Sequence, residues 1–197
     1  MSAQSPNAFS VMRHGQSKAN EQGIIVSRLA TDRSGDFGLS ELGRRQARDV
    51  AGRCGLGSGT LIYSSDFTRA RQTAEIVRAR LAAPPVTLSA ALRERCFGDW
   101  EGSSVANYAA VWAADELDPG HREHGVESAT AVLTRAAALV AALDIEHAGR
   151  DILLVSHGDT LQILLAGLAG ADPRRHRSLP HLGTAEIRRL ASSLPAG

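Results

Sequence analysis

Two short apolar runs, far apart in the chain, each end in the dipeptide His-Gly. The first reads FSVMRHG at residues 9–15, and the second reads ILLVSHG at residues 152–158. Short apolar runs bounded by glycine are typical of strands that are buried on both faces of a parallel sheet. Because parallel strands put their carboxyl ends at the same edge of a sheet, we expect His14 and His157 to face one small volume.

The rest of the chain alternates between strand-like and helical patterns. Further apolar runs lie at residues 60–63, 86–88 and 185–190. This alternation predicts an α/β fold, a three-layer α/β/α sandwich with a mostly parallel sheet. Four helices are predicted. The first is capped by Ser40 and ended by Gly55 and Gly57, and the second follows Thr68 and stops before Pro84 and Pro85. The third covers residues 127–143, with Val132, Ala136, Val140 and Leu143 facing inward, and the fourth begins near Asp159.

Two stretches, residues 22–38 and 101–125, interrupt the alternation and are predicted to be loops. Loops beyond the carboxyl ends of strands form the binding crevice in α/β folds, so we expect these two to border it. The length of 197 residues, 43% of them hydrophobic, predicts one domain over residues 1–197. Within it we expect residues 1–7 and 191–197 to be flexible.

The charge balance gives no reason to expect a polyanionic partner. The chain has 22 basic and 21 acidic residues and a net charge of +1, which argues against binding to nucleic acid or an anionic membrane. The basic residues 174–177 are typical of a solvated loop. Cys54 and Cys96 are too few for a disulfide framework and are expected to be reduced. No signal-peptide pattern is found and LQILLAGLAGA is too short to span a bilayer, which predicts a cytoplasmic location.

Basic residues surround the two predicted strand ends. Arg13 directly precedes His14, and Arg69 lies in the first turn of the helix after the second strand. The amino end of that helix adds free backbone N–H groups and a positive dipole end. Two arginines and two histidines would suit a phosphomonoester, which carries about 1.5 to 2 negative charges near neutral pH and matches the fork of a guanidinium.

The same residues allow other interpretations. A histidine at a strand end is commonly structural, and an early helical arginine is commonly a surface ion-pair partner. His14, His157 and Asp159 could bind zinc, although an arginine beside the ligands would repel the metal ion. His121 and His124, three positions apart, could bind a metal weakly.

An acidic group for proton transfer is predicted within LRERCFGDWEG, residues 92–102. Glu94, Asp99 and Glu101 lie close to Phe97 and Trp100. Partial burial beside an aromatic ring raises the pKa of a carboxyl group toward values that suit a general acid. Spacing alone does not choose among the three carboxyl groups.

Five sequence blocks occur in the order found in a known family. They are VMRHGQSKAN, YSSDFTRARQTAE, LRERCFGDWEG, HGVES and VSHGDT, which extend from about residue 9 to residue 160. On these motifs the chain resembles the phosphoglycerate-mutase-like branch (branch 1) of the histidine phosphatase superfamily. The resemblance implies hydrolysis of a phosphomonoester through a phosphohistidine, with no metal or other cofactor.

The resemblance also implies roles for individual residues. His14 is similar to the family's nucleophile and Glu94 to its general acid, a choice that spacing left open. A protonated His157 is expected to hold phosphate oxygens together with the two arginines. The implied catalytic set is His14, Glu94, His157, Arg13 and Arg69, and the implied phosphate-binding set is Arg13, Gln16, Asn20, Arg69, His157 and Gly158, with Gln16 standing where many members carry Glu.

Three functions are compatible with this resemblance. Hydrolysis of a small phosphate ester, such as a sugar or glycolytic phosphate, is favoured over mutase-type transfer because residues 115–123 are acidic, which is the wrong sign for a second anion site. Arg28 and Arg33 could nevertheless meet a second anionic group. A catalytically silent phosphate-binding module is the third option. The oligomeric state is left open, with a homodimer as one option.

Overall fold

The computed structural model describes residues 6–190 of the chain. Flexibility is predicted for residues 1–7 and 191–197, of which residues 1–5 and 191–197 lie outside the described residues. Asn7 is held in place, because its side chain donates hydrogen bonds to the backbone oxygens of Asp144 and His147. Within the described residues there is one five-stranded sheet. Its strands are β1 (Ala8–Arg13), β2 (Leu61–Ser64), β3 (Thr87–Leu88), β4 (Asp151–Ser156) and β5 (Ile187–Arg189).

The sheet has the strand order β3-β2-β4-β1-β5. All neighbouring strands are parallel except β5, which pairs antiparallel with β1 at the edge. The strands that precede the His-Gly pairs are therefore β4, at the centre, and its interior neighbour β1. Arg13 lies opposite Ser156 in their register, so His14 and His157 leave the sheet side by side.

Over residues 6–190, seven α-helices connect or flank the strands, and short 3-10 helices lie between them. The third helix begins after the predicted cap Ser40, whose side chain accepts a hydrogen bond from the Gly43 N–H, but it ends at Ala51, before the predicted glycine stops. The α-helices are α1 (Lys18–Gln22), α2 (Leu29–Ser34), α3 (Glu41–Ala51), α4 (Thr68–Leu81), α5 (Tyr108–Leu117), α6 (Ala129–Glu146) and α7 (Gly158–Leu168).

Helices cover both faces of the sheet, as the alternation predicts. Ile152 and Leu154 of β4 belong to a core cluster with residues of α6 and α7. Leu153 and Val155 point to the other face and belong to a cluster with residues of α3 and α4. The prediction of a three-layer α/β/α fold with a mostly parallel sheet is confirmed.

The prediction of loops at residues 22–38 and 101–125 is wrong in part, because each contains a helix, α2 and α5 respectively. The apolar side of α5 does not face the sheet. Val111 packs with Ile25, Phe97 and Val126 in a small separate cluster. A helix that packs on such a satellite cluster lacks the long apolar stripe from which helices are predicted.

The segment Glu123–Glu146, which includes α6, is long and apolar enough to cross a membrane by length and composition. The inward-facing residues predicted for this helix are buried in the domain. A helix that packs in the core of a domain can have the same length and composition as a membrane-spanning helix, so these two properties are weak evidence for a membrane span. The buried residues are Val132, Ala136, Val140 and Leu143.

Candidate active site

The ring of His14 is held at the carboxyl end of β1 and is only 2% exposed. Its Nδ1 lies 2.7 Å from the backbone oxygen of Gly15. Because a carbonyl oxygen only accepts hydrogen bonds, Nδ1 carries the proton and Nε2 keeps a lone pair. Arg69 donates from Nε to that Nε2 at 3.1 Å. Burial first, and then the charges of Arg69 and Arg13, lower the pKa of His14 well below its usual value, so the ring is neutral in the free site.

Two glycines fix the backbone that holds this ring. A β-carbon on Gly15 would lie 2.5 Å from the backbone oxygen of Gly43 in α3, and one on Gly43 would lie 2.0 Å from the backbone oxygen of Gln16. Only residues without side chains allow the loop and the helix to approach so closely. The contact sets the position of the Gly15 oxygen and, through it, the tautomer of His14.

His157 follows β4 and lies next to His14, with 5.1 Å between the ring centroids. Its Nε2 is 2.9 Å from the hydroxyl oxygen of Ser65, while its Nδ1 is buried and has no partner among residues 6–190. Burial first, and then Arg69 and His14, lower the pKa of His157 well below its usual value. A buried ring beside fixed cations sheds its proton, so His157 is neutral in the free site, and its protonation in the presence of a phosphate stays a prediction.

The two arginines differ in how their donors are used. Arg69 donates from Nη2 to the Val26 oxygen at 2.9 Å, while its Nη1 lies 3.7 Å from Asp32 and has no hydrogen-bond partner among residues 6–190. Arg13 donates from Nη1 to the Leu182 oxygen at 2.9 Å. The buried Nε of Arg13 has no partner in the described part of the chain. Buried guanidinium donors without an acceptor indicate that an anion completes the site.

Glu94 is buried close to these groups. One oxygen, Oε1, accepts hydrogen bonds from the backbone N–H groups of Arg95 at 3.0 Å and Thr160 at 3.2 Å. Burial first, and then the charge of Asp159, raise the pKa of Glu94. A raised pKa suits a carboxyl group that must hold a proton before it delivers one.

The other two acid candidates are placed differently. Asp99 is exposed. The carboxylate of Glu101 accepts hydrogen bonds from the backbone N–H groups of Ser27 at 2.9 Å and Arg28 at 3.1 Å. The structure therefore favours Glu94, which the resemblance also indicates, and not its two neighbours.

A cavity of about 260 Å³ brings most of these side chains together. A larger hollow of about 530 Å³, between α3 and residues 183–187, contains none of them, and we assign it no chemistry. The smaller cavity is lined by Arg13, His14, Ser17, Ala19, Asn20, Ile24, Val26, Arg69, Glu94, Val105 and Tyr108.

Three of the predicted phosphate-binding residues, Asn20, Gln16 and Gly158, differ in their position relative to the cavity. Asn20 lines the cavity, and its Oδ1 accepts from the backbone N–H of Ser17 at the start of α1. Gln16 does not line it, because its Oε1 accepts from the Ser40 hydroxyl at 2.8 Å. A β-carbon on Gly158 would lie 3.3 Å from the guanidinium carbon of Arg13, so this glycine leaves room for the arginine.

Sequence reasoning missed Tyr108, which lines the cavity from α5. Its ring stacks on Trp112 with 5.4 Å between centroids and 18° between planes. Burial first, and then the charge of Glu94, raise the pKa of the phenol well above its usual value, so Tyr108 keeps its proton as a donor. The spacing of four between the two aromatic residues is the helical signal that could have found it.

A buried ion-pair cluster behind the cavity was also missed. Arg95, which is fully buried, donates from Nη1 and Nη2 to Asp115 at 2.6 and 2.8 Å and from Nη1 to Asp159 at 3.2 Å. His121 and His176 each place Nε2 at 3.0 Å from the Asp115 carboxylate. Burial opposes ionisation of Asp115, but the hydrogen bonds from Arg95 and His176 lower its pKa to about 2.

This cluster decides several alternatives from the sequence. His176 is buried, so the prediction of a solvated loop at residues 174–177 is wrong for that residue. His121 faces Asp115, whereas the His124 ring lies against Trp100, 5.1 Å between centroids. Asp159 accepts hydrogen bonds from Arg95 and Trp112 and does not join the histidine pair. Within residues 6–190 no three His, Cys, Asp or Glu side chains are grouped so as to hold a metal ion.

Comparison with known proteins agrees with this geometry. The sequence profile of the histidine phosphatase superfamily (branch 1) matches residues 9–193. A glucosyl-3-phosphoglycerate phosphatase of Mycolicibacterium vanbaalenii is 33% identical over 192 residues, which cover 92% of this chain and 82% of that protein. The phosphoglycerate mutase-like protein 4 of Arabidopsis thaliana is 29% identical over 165 residues, which cover 78% and 67%.

Solved structures show the same likeness. A mycobacterial glucosyl-3-phosphoglycerate phosphatase in a complex with VO3 aligns with a TM-score of 0.80 at 32% identity, over 93% of this chain and 90% of that one. The fold and the matches define a phosphomonoester hydrolase. The chain belongs to the histidine phosphatase superfamily, branch 1, as its ordered motifs predict.

Proposed function

We propose that this phosphatase hydrolyses a small phosphomonoester through a covalent phosphohistidine at Nε2 of His14, without a metal ion. The observation that carries the proposal is the common cavity. It holds a neutral imidazole whose Nε2 lone pair accepts from Arg69 Nε until a phosphate takes that donor, the unpaired donors of Arg13 and Arg69, and the buried carboxyl group of Glu94. These are the three parts that transfer of a phosphoryl group requires.

In the first step Nε2 of His14 attacks phosphorus, and the bond between phosphorus and the ester oxygen breaks. Glu94 gives its proton to the departing oxygen, so an alcohol leaves. The Nδ1–H of the ring keeps its hydrogen bond to the backbone oxygen of Gly15. Arg13 and Arg69 hold the equatorial oxygens, whose charge grows in the transition state.

His157 contributes as a neutral donor in this scheme. In this scheme the hydroxyl of Ser65, 2.9 Å from Nε2, is the donor, and the proton of the neutral ring is on Nδ1. That nitrogen, which has no partner among the described residues, is then available to a phosphate oxygen. No proton uptake by His157 is needed before substrate binds.

In the second step the Glu94 carboxylate takes a proton from a water molecule as its oxygen attacks phosphorus. The bond between phosphorus and Nε2 breaks, which releases inorganic phosphate and regenerates neutral His14 and protonated Glu94.

The substrate class is inferred from the size of the cavity and from the relatives. A volume of about 260 Å³ suits a small metabolite better than a folded phosphoprotein. Relatives named glucosyl-3-phosphoglycerate phosphatase support a sugar or glycolytic phosphate. We expect the enzyme to act in the cytoplasm, with neither nucleic acid nor membrane as a partner.

The test is a panel of small phosphate esters, with para-nitrophenyl phosphate as the general substrate. His14→Ala should lower kcat at least about 10³-fold because the nucleophile is lost. Rapid quenching with a ³²P-labelled substrate should give an adduct on His14 that survives base and is lost in acid. Thermal melting of each variant confirms that it is folded.

Four results would reject the proposal. Equal rates for the parent and His14→Ala would indicate a silent phosphate-binding module. Loss of activity with a chelator would indicate a required metal ion. An acid-stable adduct would place the intermediate on another side chain, and conversion of 3-phosphoglycerate to 2-phosphoglycerate faster than release of phosphate would indicate a mutase.

A further inference from the structure

The short helix α2 buries a carboxylate and nothing else. Asp32 is the only buried residue of this six-residue helix, and it is 1% exposed. Hydrophobic packing therefore does not account for its position. Burying a carboxylate is costly unless charges or hydrogen-bond donors offset the cost. The groups around Asp32 show what the buried charge contacts.

One oxygen of Asp32 caps the helix that carries Arg69. Helix α4 begins at Thr68, after Phe67, whose side chain makes no capping hydrogen bond. Asp32 Oδ2 accepts from the backbone N–H and from the hydroxyl of Thr68, each at 2.8 Å. Such a cap satisfies one of the free N–H groups at a helix start. The carboxylate therefore fixes the turn from which Arg69 extends.

The other oxygen of Asp32 faces Arg69 without a hydrogen bond. Asp32 Oδ1 lies 3.7 Å from Arg69 Nη1, beyond the length of about 2.7–3.2 Å that an N–H···O hydrogen bond has. Both atoms are buried, and neither has a hydrogen-bond partner among residues 6–190. The two opposite charges attract each other, but Nη1 remains available to another acceptor.

Other contacts keep these two groups apart. Asp32 Oδ2 is occupied by the two donors of Thr68. Arg69 donates from Nε to His14 at 3.1 Å and from Nη2 to the Val26 oxygen at 2.9 Å. The guanidinium is therefore held at two nitrogens by hydrogen bonds and at the third by charge. A donor fixed in this way has its direction set before a ligand arrives.

The segment that carries α2 is itself fastened to the acid loop. The Glu101 carboxylate accepts from the backbone N–H groups of Ser27 and Arg28, directly before the helix. Glu101 follows the Phe-Gly-Asp-Trp turn that separates it from Glu94. The position of Asp32 is therefore tied to the loop that carries the general acid.

The sequence favours other residues of this segment for a role in binding. Arg28 and Arg33 are its candidates for contact with a second anionic group, but neither lines the cavity. Arg28 donates from Nη2 to the Gly98 oxygen at 2.9 Å. Asp32 does not line the cavity either, so it can act on the reaction only through Arg69.

We propose that Asp32 is a positioning residue for phosphoryl transfer, which holds Nη1 of Arg69 in the direction of the transferring group. This inference rests on the proposed function. The carboxylate lies outside the cavity, so it acts on Arg69 over 3.7 Å and on a bound anion only over a longer distance. A phosphate oxygen can take the Nη1 donor without displacing an existing hydrogen bond.

The first test removes the charge and keeps the cap. In Asp32→Asn the amide oxygen can still accept from Thr68, but the amide nitrogen then faces Arg69. We expect kcat/KM for para-nitrophenyl phosphate to fall about tenfold, because a loosened donor costs less than a deleted one. Asp36→Asn is the matched control, an exposed carboxylate of the same segment that pairs with Lys18, and it should leave kcat/KM unchanged.

A double-mutant cycle separates positioning from a general role in the fold. If Asp32 acts through Arg69, Asp32→Asn should cause no further loss of kcat/KM in Arg69→Ala. Losses that multiply in the double variant would overturn the inference. Thermal melting checks the folded fraction of each variant. Asp32→Ser, which keeps one acceptor for the cap, replaces Asp32→Asn if that variant unfolds, and unfolding of both would make Asp32 a structural residue.

Chemical rescue tests the contact with the guanidinium directly. Guanidinium chloride, below the concentration that denatures the protein, should restore part of the activity of Arg69→Ala, because His14 Nε2, the Val26 oxygen and Asp32 still surround the vacated position. In the double variant Asp32→Asn/Arg69→Ala the recovery should be about tenfold smaller. Sodium chloride at the same concentration is the control. Equal recovery in both variants would show that the carboxylate does not hold the guanidinium.

Binding of orthovanadate keeps the inference distinct from the proposed function. Vanadate adopts the five-coordinate geometry of a transferring phosphoryl group, and calorimetric titration measures its binding without turnover. Weaker binding by Asp32→Asn, with no further effect in Arg69→Ala, would support the role of Asp32 even if the parent enzyme failed to hydrolyse esters, which would reject the phosphatase mechanism. Hydrolysis that depends on His14 but not on Asp32 would do the reverse. Tighter binding by Asp32→Asn would show that the carboxylate only repels the anion, and would contradict the inference.

Discussion

Arg69 and Arg95 are both buried arginines, but their surroundings are opposite. Arg95 donates to two carboxylates and to the Glu127 oxygen, so each of its three nitrogens has an acceptor. Arg69 donates to a neutral imidazole and to one backbone oxygen, and its Nη1 has no hydrogen-bond partner within residues 6–190. The carboxylates around Arg95 lie at hydrogen-bond distance, whereas the Asp32 carboxylate lies 3.7 Å from Nη1 of Arg69 and leaves that donor without a hydrogen bond.

The difference separates a structural charge from a charge kept for a ligand. A buried guanidinium that is fully paired holds its carboxylate partners in place and would be costly to remove. A buried guanidinium with an open donor, next to two histidines that stay unprotonated, is an unfavourable arrangement that an incoming dianion relieves. Burial and residue type are the same in the two cases, so only the count of acceptors distinguishes them.

The largest expected effect is on stability, from Arg95→Met. The substitution leaves the buried Asp115 carboxylate without its main partner, which should lower the free energy of unfolding by about 3–5 kcal/mol. Urea denaturation measures the change. Arg93→Met, whose guanidinium pairs with Asp66 and is more than one-third exposed, is the matched control and should cost far less. Equal stability of the parent and Arg95→Met would contradict the structural role.

The next effect is on activity, from Arg69→Met. Loss of a donor to the transferring phosphoryl group should lower kcat/KM by about 10²–10³-fold. The loss of stability should be smaller than for Arg95→Met, because fewer paired charges are disrupted. Arg71→Met, exposed on the same helix, is the control for both measurements. If Arg69→Met unfolded the protein more than Arg95→Met, the contrast between the two arginines would be wrong.

Acid should reveal the ion-pair cluster directly. The folded-state pKa of Asp115, about 2, lies below its ordinary value of 3.8, so the carboxylate stabilises the fold above pH 4 and this contribution is lost as the pH falls to 2. Linkage predicts a loss of about 2 kcal/mol in the free energy of unfolding across that window. Denaturation at several pH values should show this slope in the parent and in Asp49→Asn, an exposed control. Persistence of the whole slope in Asp115→Asn would assign it to other groups.

The smallest effect is expected from Tyr108→Phe. The phenol lines the cavity and has no hydrogen-bond partner among the described residues. One neutral donor is worth about 1 kcal/mol, so kcat/KM should fall less than about tenfold. A much larger loss would make Tyr108 a catalytic residue, and an unchanged pH profile together with a small loss would leave it as a wall of the site.

The sequence predicted what depends on local pattern. The strands before His14 and His157 are apolar runs of strand length, and their shared edge follows from parallel pairing. The sequence identified Glu94 only through the resemblance, because Glu94, Asp99 and Glu101 all lie close to Phe97 and Trp100 along the chain.

The sequence did not predict what depends on partners far along the chain. Arg95 and Asp115 look like ordinary surface residues until α5 folds against the segment that carries Glu94. Arg177 was assigned to solvent because three basic neighbours obscured the one whose guanidinium stacks on the Trp112 ring. Helix α5, which carries Trp112, packs on a small cluster away from the sheet. It therefore lacks the long stripe of apolar residues from which a helix is predicted.

The register of β1 and β4 has a consequence for protein synthesis. His14 leaves the ribosome early, but β4, the strand that places His157 beside it, is among the last parts of the sheet to emerge. A nascent chain that already contains His14, Arg13 and Arg69 therefore lacks β4, the strand that orders His157 beside them. The two histidines can come together only after β4 has been synthesised and has paired with β1.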